Sequence, residues 1–128
     1  MKNDDIQTVI PVVVRAYLEA AMFTDSGHDE GNVPPHSEFS SYGVLQAYAT
    51  VADFLKQCDE VGLLDAYVET GRTWDAFGHD VWLTRNRHGT GFWDRGMGEL
   101  GDKLTALANL LGTAYVVETD DLLVCFEG

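Results

Sequence analysis

Positive charge is scarce in this sequence: eight Lys and Arg stand against 21 Asp and Glu, a formal net charge of −13. Such a field repels nucleic-acid phosphates and anionic membrane surfaces, so direct, sequence-neutral binding to DNA or RNA is not expected. Cysteine is scarce too. Cys58 sits in a helical pattern and Cys125 in a terminal strand pattern, with no CxxC pair and no cysteine-rich framework. Reduced, buried thiols in a cytoplasmic protein follow from that usage. Met1-Lys2-Asn3-Asp4-Asp5 lacks the basic start and apolar core of a signal peptide. The apolar run Val9 to Val14 is too short to span a bilayer and contains Pro11, so a soluble chain with no membrane partner is expected. The sequence also has no Gly-x-Ser-x-Gly elbow and no P-loop. Nucleophilic catalysis and P-loop nucleotide binding therefore have no motif to rest on.

What is present suffices for one core. A chain of 128 residues has the size of a single domain, and a 45% hydrophobic content is too high for disorder. Val9, Val13, Ala16, Ala20 and Phe23 recur at helical spacing, and Pro11 restricts the secure part of that helix to 12–22. Residues 24–42 hold Gly27, Gly31, Pro34, Pro35 and few apolar anchors, and read as a long surface loop. Val44, Leu45, Tyr48, Val51, Ala52 and Leu55 form a second helical stripe, with Ser40 or Ser41 as N-cap and Gly62 as terminator. A short helix follows over 63–69, closed by Gly71. Both helices carry acids on the opposite face: Asp53, Asp59 and Glu60, then Asp65 and Glu69.

After Gly71 the composition turns aromatic and β-branched. Val81-Trp82-Leu83-Thr84 and Gly91-Phe92-Trp93-Asp94 flank a turn-prone stretch, which predicts a β-hairpin over 81–95. Leu100, Leu104, Leu107, Ala108 and Leu111 predict a helix over 99–111. Two strand-like runs around Thr119-Asp120-Asp121 predict a second hairpin over 114–126. The expected fold is α+β: N-terminal helices packed on a four-stranded antiparallel sheet made of two β-hairpins joined by a helix.

Residues 72–95 concentrate the chemistry. They hold half the basic residues, all three tryptophans, and a local charge of +1 against −14 elsewhere. Arg85, Arg87, His88, Trp93 and Arg95 are the interface candidates, because protein interfaces concentrate aromatic and Arg side chains. The plainer reading is that the tryptophans belong to the core and the arginines neutralise neighbouring acids. His79, Asp80, His88 and Asp94 are residue types that bind metals or move protons, but their spacing fits no known metal template. No cofactor and no metal are expected.

The run Gly78-His79-Asp80-Val81-Trp82-Leu83-Thr84-Arg85-Asn86-Arg87-His88-Gly89-Thr90-Gly91-Phe92-Trp93-Asp94-Arg95-Gly96 resembles the signature of a family of small uncharacterised bacteriophage proteins. The usual form is close to G-H-D-F-W-L-T-R-N-G-H-G-x-G-F-W-D-R. Tyr17-Leu18-Glu19-Ala20-Ala21 and the helix-plus-hairpin tail are also similar. This chain has Val81 where Phe is usual and Arg87 where Gly is usual, which puts the turn geometry in question. The resemblance implies a phage origin and an accessory, host-directed role in the host cytoplasm, with no established activity.

The leading expectation is a non-catalytic protein that binds and modulates a host or defence protein, of anti-defence, anti-CRISPR or DNA-mimic type. Either the acids of 53–69 or the Arg/Trp segment would make the contact. The alternatives are a small enzyme or an anion- or metal-binding protein using the His, Asp and Arg residues of 78–96, or a role in virion assembly. A high negative charge is also accounted for by solubility alone.

Overall fold

The computed structural model describes residues 1–25, 34, 36–120 and 122–128. Helix α1 (Asn3–Asp25) buries Ile6, Ile10, Val13, Val14, Tyr17, Ala20 and Ala21, a stripe that recurs every three or four residues. It begins well before Pro11, which lies inside the helix. Proline lacks the N–H that would bond to the carbonyl of Gln7, but both residues are exposed and water can satisfy that oxygen. Burial of Ile6 and Ile10 before Pro11, and of Val13 after it, outweighs the lost bond. By length and composition α1 could cross a membrane, yet half of its apolar window is buried inside the protein, as in a core helix.

Helix α2 (Ser41–Glu60) starts at Ser40, whose Oγ accepts the Gly43 N–H at 3.1 Å. Gly62, at φ 77°, makes the turn into α3 (Leu63–Glu69), and Gly71, at φ 75°, closes α3. Helix α4 (Trp74–Arg85) is capped by Thr73, whose Oγ1 accepts the Ala76 N–H at 3.0 Å. A single 3-10 turn (Phe92–Asp94) precedes α5 (Glu99–Asn109). Strands β2 (Tyr115–Asp120) and β3 (Leu123–Glu127) form an antiparallel hairpin with a register shift between Glu118 and Asp120. Strand β1 (Glu38–Phe39) lies parallel to β3, giving the order β1-β3-β2.

The helix over 63–69, the helix within 99–111 and the C-terminal hairpin agree with the sequence reading. The four-stranded antiparallel sheet does not. The described residues form a mainly helical α+β fold with one mixed three-stranded sheet. The expected hairpin over 81–95 is instead the end of α4, a turn and the 3-10 turn. Phe77, Gly78, Val81 and Trp82 share the buried face of a helix, and the Thr73 cap with Asp75 in the first turn fixes its start. That periodicity and cap override the strand preference of Val and Trp. Within 24–42, Thr24 and Asp25 complete α1, Glu38 and Phe39 form β1, and Ser41 begins α2. Residues 26–33 and 35 of that expected loop lie outside the described residues.

Side chains continue the sheet where strands stop. The Gln46 amide donates to the Phe126 carbonyl at 3.0 Å and accepts the Phe126 N–H at 2.9 Å, as a neighbouring strand would. On β2, Asp25 accepts the Val116 N–H at 3.0 Å. Helix α1 packs chiefly against α4 and then α2. Tyr17, Trp82 and Phe126 meet at the centre, with the Tyr17 and Trp82 rings edge to face at 5.4 Å.

Candidate functional site

The 78–96 run is knotted into the core by its own side chains. Gly78 lets α4 approach α1: a Cβ there would collide with the Val13 carbonyl and lie 2.7 Å from the Ala16 methyl. Two residues on, Asp80 is 1% exposed and accepts two N–H bonds from Arg95 on Oδ1, at 3.1 and 2.9 Å. Its Oδ2 faces Arg72 Nη2 at 3.4 Å. Trp82 is fully buried, and its indole N–H donates to Thr24 Oγ1 at 2.9 Å. Thr84 Oγ1 accepts the Phe92 N–H at 3.1 Å and so fixes the returning chain.

Arg85 closes α5 as well as α4. Its Nε donates to the Gly112 carbonyl at 2.8 Å, Nη2 to Leu111 at 2.9 Å, and Nη1 to the Tyr17 hydroxyl at 2.9 Å. The planar fork suits it to gather carbonyls left open at a helix C-terminus. Asn86 bridges to the hairpin, donating to the Trp82 carbonyl at 3.0 Å and accepting the Ala114 N–H at 2.8 Å.

The turn after α4 is a Schellman motif. Arg87 N–H donates to the Thr84 carbonyl at 3.1 Å and His88 N–H to that of Leu83 at 3.0 Å. This places Arg87 in the left-handed region at φ 56°, where glycine is the usual residue.

The five interface candidates thus separate. Arg85 and Arg95 are engaged inside the protein, while Arg87 is exposed and His88 is part-buried. Trp93 is 43% exposed, with its ring lying over Gly91. Asp80 is locked between two guanidinium groups, and Arg95 is held even more firmly protonated by its bond to Asp80. His79 faces Glu19 of α1, 4.0 Å away. Asp94 is exposed. Among the described residues no three His, Cys, Asp or Glu side chains converge where a metal could be held.

Near Asp80, Tyr67 Oη donates to the Thr73 carbonyl at 2.7 Å. Burial pushes the Tyr67 phenol up to about 12, partly opposed by Arg72. Burial likewise pushes the Cys58 thiol up to about 12, so it is no nucleophile at neutral pH.

The acidic candidates lie on the other side of the sequence pattern. Asp53, Glu60, Asp65 and Glu69 are exposed, and Asp53 accepts from the Gln57 amide at 2.7 Å. Asp59 is part-buried and pairs with the Met1 amine at 2.8 Å, with Asp65 at 3.2 Å from the same amine. Asp53, Asp59 and Glu60 edge a groove between α1 and α2 that also contains Lys56.

A second groove, of about 440 Å³, runs between α1 and α4. Ala20, Phe23 and Leu83 form its apolar part; Glu19, His79, Thr90 and Arg95 supply polar groups. Sequence reasoning named His79 and Arg95 but missed Glu19, Thr24, Leu83 and Thr90. Only the α1–α4 crossing brings these together, and no local spacing signals it. The chain matches no known family model, and no curated protein and no solved structure shows significant similarity to it.

Proposed function

We propose that this chain is a non-catalytic, acidic accessory protein that binds and modulates a basic, nucleic-acid-binding protein of a bacteriophage host or its defences. The observation that carries this reading is the opposite fate of the two charged sets. The arginines of the 78–96 run are largely engaged internally, whereas Asp53, Glu60, Asp65 and Glu69 stand exposed along α2 and α3. Asp4 and Asp5 of the first turn of α1 are exposed as well. Separate exposed carboxylates contribute little one at a time and act together as a steering field. A phosphate-like surface is suited to a groove that ordinarily holds nucleic acid.

The test is capture of proteins from bacterial host lysate on the immobilised chain, at low and high salt, with double-stranded DNA as competitor. Wild-type protein should retain a nucleic-acid-binding protein that DNA displaces. Joint Asp53→Lys, Glu60→Lys, Asp65→Lys and Glu69→Lys substitution should abolish retention, more so at low salt. Retention unaffected by that reversal, in a variant with unchanged circular dichroism, would refute the acidic-face reading.

One observation favours a second contact surface. Arg87, on the turn that follows α4, and Trp93, in the 3-10 turn, are both exposed. Were they the anchor, Trp93→Ala alone would weaken binding by about 2 kcal/mol, as at interface hot spots, and the fourfold charge reversal would leave binding intact.

A further inference from the structure

The groove between α1 and α4 has the volume and mixed lining of a small-molecule site. Its size, about 440 Å³, falls within the range of ligand pockets, roughly 300–1,000 Å³. Ala20, Phe23 and Leu83 give it an apolar floor, and Arg95 and Thr90 bring donors to one wall. Arg72 and Arg95 both bond the carboxylate of Asp80, and Asp94 also lies close enough to act on Arg95. Arg95 commits Nε and one Nη2 hydrogen to Asp80, while a guanidinium carries five donors. The remaining donors belong to a side chain that lines the groove. Glu19 provides the negative charge of the opposite wall, and it already faces Arg15 at 3.7 Å and His79 at 4.0 Å.

We propose that this groove binds a small amphipathic organic anion, its acidic head held by Arg95 and Thr90 and its apolar body lying on Ala20, Phe23 and Leu83. An anion is favoured over a cation because Arg95 keeps donors beyond those it gives Asp80, while Glu19 is already paired with Arg15. A charged head bonded to a guanidinium also gains more than a neutral hydroxyl would. The site is independent of the acidic face of α2 and α3, so either reading can fail without the other.

Octanoate, 1-octanol and octylammonium are the probes, matched in apolar length and differing in head group. Each is titrated into the ¹⁵N-labelled protein at constant ionic strength, with backbone amides and the Arg95 Nε–H followed by NMR. Octanoate should bind saturably, shifting Ala20, Leu83, Thr90 and the Arg95 side chain, and more tightly than the other two by about tenfold. Thr90→Glu sets a like charge at an exposed rim position and should weaken octanoate by about tenfold, and octanol by less. The proposal is overturned if octanol or octylammonium binds as well as octanoate. It is equally overturned if the shifts fall outside the groove, or if Thr90→Glu leaves octanoate binding intact.

Discussion

Two segments of this chain share a composition and differ in structure. Residues 81–94 and 114–126 both combine β-branched and aromatic side chains with turn-formers, yet the first ends a helix and the second is a β-hairpin. The difference lies in what precedes and punctuates each. The first follows Thr73, a side-chain N-cap, and continues the helical stripe of Phe77 and Gly78. The second follows Gly112, at φ 74°, which ends the α5 region, and has no cap to start another helix. Strand preference of single residues is weak and reflects surroundings; a cap and a sustained period decide the matter.

That contrast is broken most severely at Gly78. Gly78→Val should cost about 3 kcal/mol, because the added side chain meets the Val13 carbonyl and the Ala16 methyl and forces α1 and α4 apart. Urea denaturation measures it, and an unchanged midpoint would show that the close approach is not what holds α4 as a helix. Arg85 ties the end of α4 to α1 and to the chain that follows α5, so Arg85→Ala should cost about 2 kcal/mol through orphaned carbonyls and the Tyr17 hydroxyl. Arg85→Lys should recover little, since an ammonium cannot reproduce the fork. A fully stable Arg85→Ala protein that has lost its partner would instead make Arg85 an interface residue.

Alkaline pH separates the segments more gradually. The Cys58 thiol and Tyr67 phenol stay protonated in the folded chain up to about 12, while the unfolded chain ionises them near 9.0 and 10.0. The folded state then holds more protons, so stability falls as pH rises between those values, by at most ~1.4 kcal/mol per pH unit for each group. Tyr67 supplies the hydroxyl that holds Thr73 at the start of α4. Amide protection in 74–94 should therefore be lost before that in 115–127 as pH climbs above 10.0; simultaneous loss would contradict this. Cys58 should likewise resist thiol reagents until the protein unfolds.

The smallest effect has the opposite sign. Arg87 at φ 56° and Leu122 at φ 59° each hold a left-handed backbone position without being glycine. Arg87→Gly and Leu122→Gly should each stabilise the chain, by about 0.5–1 kcal/mol. Thermal melts would show it; a loss at position 87 alone would mean that the Arg87 side chain contributes more than its backbone costs.

Where sequence reading succeeded, local chemistry had written the answer. Ser40, Gly62 and Gly71 bound α2 and α3 because capping and left-handed turns are local events. The C-terminal hairpin was legible from its own turn. The segment 81–95 was not, since Thr73 and the α1-facing glycine lie outside the aromatic run that attracted the reading. Strand β1 is two residues long, too short for any periodicity. At the candidate sites, the exposure of Asp53, Glu60, Asp65 and Glu69 followed from helical spacing, but the pairing of Asp59 with the Met1 amine did not. Arg95 on Asp80 fits the plainer reading that the arginines neutralise neighbouring acids, whereas the Arg85 partners Leu111, Gly112 and Tyr17 are defined only by packing.

The Gln46 amide on Phe126 and the Asp25 carboxylate on Val116 bear on what the protein does at high concentration. An open strand offers its unpaired N–H and C=O groups to any neighbouring copy, and sheet can then grow from molecule to molecule. Here the backbone groups of Phe126 and the Val116 N–H already hold side-chain partners from helices α2 and α1. A chain made abundantly in a crowded cell is thereby hindered from polymerising through its own sheet, with two polar side chains serving where longer strands would otherwise be needed.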